Sequence, residues 1–166
     1  MKREDGQEHG LESKHPSTRS LWALDGLNFF LADVRDGMGP FLGTFLRERE
    51  RWDAGQVGIA LAASQIGTVL AQTPAGGLID KIRWKRLAVA IAAIVVAVGC
   101  LTLYLVPTLP VVVVAQASIG AAAAIFPPAI AAITLGLVGR ALMPRQTGRN
   151  EAFNHLGNVV AAALAG

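Results

Sequence analysis

Charge is what this sequence has least of. Between Arg86 and Arg140 there is no Asp, Glu, Lys or Arg, and between Asp53 and Asp80 there is none either. Charged residues make up 16% of the chain, against about 25% in an ordinary soluble domain. A helix in water needs a polar face, and these runs supply no charged one. Cysteine is nearly absent too: Cys100 stands alone inside an apolar run. A single cysteine makes no internal disulfide and no metal site, so it reads as a small hydrophobe, packed or facing lipid. Catalytic sets are also missing. There is no Ser/His/Asp group in plausible positions, no glycine-rich phosphate loop and no metal-ligand spacing. No enzyme activity, cofactor or metal is expected.

What the chain does have is apolar residues, 52% of the total, with a mean hydropathy of +0.45. They fall in runs. Residues 1–20 are polar and of both signs, and read as a solvated cytoplasmic tail; no apolar core follows a basic start, so this is no secretory signal. Apolar segments follow at about 21–46, 54–79, 87–106 and 111–138, with a shorter one at 150–166. A spanning helix needs about 20 apolar residues, and 87–106 is the cleanest match. The expected fold is an all-α membrane bundle of about four complete helices plus the start of a fifth. The lipid bilayer is then the first partner. The net charge of +3 does not point to nucleic acid, because the cations sit at the ends of apolar runs and form no stripe across a polar surface.

Within the runs a few polar residues stand out. Asp33, Arg35 and Asp36 interrupt the first segment, ahead of Gly37, Gly39 and Pro40, which would loosen or bend it. Ionisable groups inside a span are costly; they line a pathway or pair within the bundle. The three are candidates for transport or proton coupling, and the plainer reading is a charge network that holds the bundle together. Gln65 and Gln72 share a face of the small-residue-rich second segment. Pro127-Pro128 should kink the fourth. Arg140, Pro144, Arg145 and Arg149 read as a basic loop, and His155 beside Asn154 and Asn158 as a polar interior residue with a proton relay as the rarer role. Trp52 and Tyr104 fit interfacial positions. The tail, the Lys81–Arg86 loop and the Arg140–Arg149 loop are basic, which predicts a cytoplasmic N-terminus in an inner (plasma) membrane; Arg47, Arg49 and Arg51 on the other side weaken that assignment.

The junction Gly76–Arg86 carries a family resemblance. Gly-x-x-x-Asp-(Arg or Lys)-x-Gly-(Arg or Lys)-(Arg or Lys), between the second and third spans, is the loop signature of the major facilitator superfamily. Gly76, Asp80 and Lys81 match its first half, and Lys85 and Arg86 its basic end. Arg83 stands where the pattern has Gly, and Trp84 at a usually basic position. Gln116 and Gly120, followed by small residues and Pro127-Pro128, resemble the family's fourth-helix pattern Arg-x-x-x-Gly. Gln116 replaces the arginine, so it is a transport candidate by position only. The resemblance covers about 21–166. It implies a secondary transporter of two six-helix halves, with a small-molecule substrate held between them and alternating access by rocking. It also implies a gating role for the Gly76–Arg86 loop, with Asp80 meeting a helix of the second half. On this reading the chain is an N-terminal portion whose C-terminal half is missing. The rivals are a truncated, non-transporting remnant and a small helical scaffold or assembly subunit.

Overall fold

The computed structural model describes the backbone of residues 17–36 and 38–165, and the side chains of residues 17–32 and 41–164. Within these residues the chain forms helices and short connections, with no strand. In order they are α1 (Thr18–Asp36), α2 (Met38–Glu48), α3 (Ala54–Lys81), α4 (Lys85–Leu105), α5 (Leu109–Ala123) and α6 (Phe126–Ala165). α1 starts inside the stretch expected as tail. The first expected span is shared between α1 and α2.

Local chemistry fixes the helix ends. The Oδ1 of Asp53 accepts from the N–H groups of Gly55 at 2.7 Å and Gln56 at 3.0 Å. Gln56 returns the bond by accepting from the Asp53 N–H at 3.2 Å. This capping box stabilises the start of α3 by about 1 kcal/mol and places a carboxylate at its positive end. At the other end Lys85 donates from Nζ to the Ile79 carbonyl at 2.8 Å, satisfying a carbonyl that has lost its helical partner. The kink expected at Pro127-Pro128 is present. α5 ends at Ala123, the Ile125 N–H bonds to the Ala122 carbonyl at 3.1 Å, and both prolines fall in the first turn of α6. Their missing N–H groups leave nothing unsatisfied there.

α6 reverses at Gly139. This residue takes φ 71° and ψ 177°, a conformation essentially closed to residues with a Cβ. Asn150 donates to Thr134 at 2.9 Å, although sixteen residues of straight helix would separate them by roughly 24 Å. The arms 126–138 and 140–165 therefore fold back on each other. The stretch Arg140–Arg149, expected as a loop, is helix. The fifth segment begins at 140 rather than 150, because one glycine does the turning and no connecting length is needed. The second arm carries Pro144 inside it, at the loss of one helical hydrogen bond.

Among the described residues three stretches are long and apolar enough to cross a membrane: Ala54–Lys81, Lys85–Leu105 and Leu109–Leu164, the last folded at Gly139. α5 packs between α3 and α4, which are consecutive in sequence yet scarcely touch. The approaches are close. A Cβ on Gly67 would come within 3.0 Å of the Ala117 backbone, one on Gly120 would strike the Ser64 carbonyl, and one on Gly99 would strike Ile119. Thr68 bridges α3 to α5 by donating to the Gly120 carbonyl at 3.1 Å. Small residues permit such approach in lipid, where no hydrophobic drive brings helices together.

α1 packs on the second arm of α6. Asp25 meets Arg149, and Phe29 and Ala32 meet Gly157. Both partners advance in the same direction, so the two helices run parallel, as the first and fifth spans of an alternating bundle must. The outside of the bundle is apolar. On α4, Ile91, Ile94, Val98, Leu101 and Leu105 are all exposed at alternating spacings of three and four, one continuous face. Such a face belongs against hydrocarbon.

Candidate functional site

The polar residues of this bundle gather where α1 meets the two arms of α6. Asp25 is 1% exposed and follows the apolar stretch 21–24 of α1. An isolated carboxylate buried there would be untenable, so it needs a partner. Arg149, 124 residues away, donates to Asp25 Oδ2 at 2.5 Å. The guanidinium also lies 5.8 Å from the ring centres of Trp22 and Phe153, which hold it by cation–π attraction. The other carboxylate oxygen, Oδ1, is buried with no hydrogen-bond partner among the described residues. The only other ion pair described, Arg49 with Glu50 at 4.0 Å, lies at the surface.

A second polar group adjoins this pair. Gln146 donates to Asn150 Oδ1 at 3.0 Å, and Asn150 donates to Thr134 at 2.9 Å. All three are buried. Asn28, 4% exposed, donates back to the Leu24 carbonyl at 2.8 Å. The helical spacing explains the gathering. Gln146 and Asn150 are four apart, while Thr147, Glu151, Asn154 and Asn158 follow at four, three and four, so the second arm carries one broad polar face. Between that face, α1 and the first arm lies a cavity of about 110 Å³, lined on its polar side by Asn28, Thr134, Thr147, Asn150, Glu151 and Asn154. Counted from the turn at Gly139, Glu151 lies roughly 18 Å along the arm, near the middle of a hydrocarbon core about 30 Å thick.

The residues singled out from sequence are placed differently. The side chains of Asp33, Arg35 and Asp36 lie outside the described ones. Gln116 is buried at 4% exposed on α5 but does not line this cavity. His155 is exposed rather than interior, and Gln65 and Gln72 are exposed as well. In the Gly76–Arg86 loop, Asp80 and Lys81 are exposed. Among the described residues Asp80 has no ion pair or hydrogen bond through its side chain; Lys85 reaches the Ile79 carbonyl instead. Arg149, expected in a basic loop, is instead the half-exposed partner of the buried Asp25. Asp25 is not among the residues singled out from sequence. Its signal was a carboxylate four residues into an apolar run, with Asn28 three further on.

Residues 24–166 match the family profile of the Major Facilitator Superfamily. Two relatives from Mycobacterium tuberculosis, one from strain CDC 1551 / Oshkosh and one from strain ATCC 25618 / H37Rv, are each described as an uncharacterized MFS-type transporter. Each is 46% identical over 144 residues, which is 87% of this chain and 34% of the relative. The chain thus spans about a third of the length of the curated relatives it matches. No solved structure matches at a significant level.

Proposed function

The chain belongs to the major facilitator superfamily, a family of transporters and not of enzymes, and from that premise we propose that it forms part of a secondary transporter. It is a multi-pass membrane protein. The protein moves a small solute by alternating access between two halves, with the solute held near the bilayer midplane.

The observation that carries this reading is the polar face of the second arm. Its buried amides and Glu151 would be costly against hydrocarbon, and a water-filled path removes that cost. The Asp25–Arg149 pair suits a coupling role. A proton on Asp25 would neutralise the carboxylate and free Arg149, already 41% exposed, to reach toward the path. Asp33, Arg35 and Asp36 are the next candidates for that role. The Gly76–Arg86 loop faces the cytoplasm with the N-terminus, in a plasma (inner) membrane. There Asp80 offers its carboxylate to a helix of the remaining half, and Lys81, Lys85 and Arg86 to anionic headgroups.

The test is flux across proteoliposomes holding the full gene product, over a panel of small solutes, with and without a proton gradient. At least one solute should move above the liposome background and respond to the gradient, and Asp25→Asn should lose that response. Gradient-driven flux unchanged in Asp25→Asn and also in Asp33→Asn/Asp36→Asn would remove the coupling assignment. No flux of any solute would remove the transport reading.

A further inference from the structure

We infer that the cavity between α1 and the arms of α6 selects a solute cation bearing N–H donors, such as a protonated amine or a guanidinium, and that Glu151 reads its charge. The inference rests on the transport reading above and adds the class of substrate to it.

It comes from counting the polar groups that remain free. Arg149, two residues before Glu151 in sequence, is committed elsewhere: Asp25 takes its charge, and Trp22 and Phe153 cover its faces. Arg149 does not line the cavity. Glu151 does, and among the described residues it is the only formally charged one that lines it. Among the described residues Glu151 has no ion pair and no hydrogen bond through its side chain. Among the described residues the cavity is therefore left with one uncompensated negative charge.

The neutral groups, Asn28, Thr134, Thr147, Asn150 and Asn154, bring acceptors but no charge to offset that of Glu151. Asn150 is engaged at both ends, its oxygen by Gln146 and one amide N–H by Thr134. Asn28 gives one amide N–H to the Leu24 carbonyl and keeps its carbonyl oxygen, an acceptor, for the cavity together with its second N–H. Two side chains that reach the cavity from opposite helices, Asn28 from α1 and Glu151 from α6, thus offer acceptors. An anion would meet repulsion there, and a neutral solute would leave the exposed Glu151 carboxylate without a counter-charge. A cation with N–H groups satisfies both at once, through charge-assisted hydrogen bonds.

The experiment is uptake into proteoliposomes of the full gene product, using matched pairs: guanidinium against urea, and benzylammonium against benzyl alcohol, with formate as the anion. The cations should compete with one another and enter above background, at least tenfold better than their neutral partners. Glu151→Gln should remove that preference, and Glu151→Asp should keep part of it. Folding of each variant is checked by its thermal melt. Cation uptake indifferent to Glu151→Gln overturns the inference and leaves the transport reading standing, as does preference for the neutral or anionic member. Failure of both cations to enter, while another solute of the wider panel does, also overturns it alone. Failure of every solute removes the transport reading itself.

Discussion

Asp25 and Arg149 do not share their burial equally, and that asymmetry decides what each substitution does. Asp25 is 1% exposed, while the Arg149 side chain is 41% exposed and also held by two rings. Arg149→Gln strands a buried carboxylate and should cost about 3–5 kcal/mol, the usual penalty for breaking a buried pair. Asp25→Asn leaves a cation that can reach solvent and should cost clearly less. Thermal melts of purified protein check this, and the double variant should lose clearly less than the sum of the two single losses. Equal losses that add would show that the pair is not coupled. At this scale the sequence was least legible. The cluster Asp33, Arg35, Asp36 drew attention by its density, whereas Asp25 is a single acid whose meaning depends on a partner 124 residues away. No periodicity within one helix reveals such a pairing. The polar face of the second arm was readable in principle, through the spacing of Thr147, Glu151, Asn154 and Asn158. It was obscured by taking 140–149 as loop.

Helix contacts in this bundle hinge on a few glycines. Gly120 approaches α3 so closely that a Cβ would strike backbone, which cannot rotate away. Gly120→Ala should therefore destabilise by about 1–3 kcal/mol, as overpacking does. Gly136 is helical with open space around it, so Gly136→Ala should be neutral or stabilising by up to about 1 kcal/mol. Gly139 has open space too, but its φ of 71° makes Gly139→Ala destabilising through backbone strain alone, by about 1–3 kcal/mol. Melting temperatures of the three variants should fall in that pattern; a loss at Gly136 equal to that at Gly120 would contradict the packing described. Much of this level could be read in advance. The charge gaps located the apolar runs, and proline chemistry located the break before Phe126. The reversal at Gly139 could not be read, because a lone glycine followed by arginines looks the same whether it opens a loop or turns a helix in one step.

For the whole molecule, the exposed face of α4 and the polar face of α6 imply opposite surroundings, lipid for one and water for the other. Membrane class was legible from the missing charge, and the family from Gly76, Asp80 and the basic end of that loop, since both are local properties of sequence. The path was not, because it is assembled from α1 and two arms that only the fold brings together. Topology can be checked by single cysteines in a Cys100→Ala background: one at Arg86 should react with an impermeant thiol reagent from the cytoplasmic side, and one at Thr108 from the opposite side. The claim that matters most is that the second arm of α6 lines an aqueous route. It is tested most directly by comparing Asn154→Cys with Leu156→Cys in the full gene product, in membranes, using a small water-soluble maleimide. The cysteine at 154 should label readily and be protected by a transported solute, and the cysteine at 156 should stay unreactive. Labelling at 156 but not at 154 would place the polar face away from water and contradict the account.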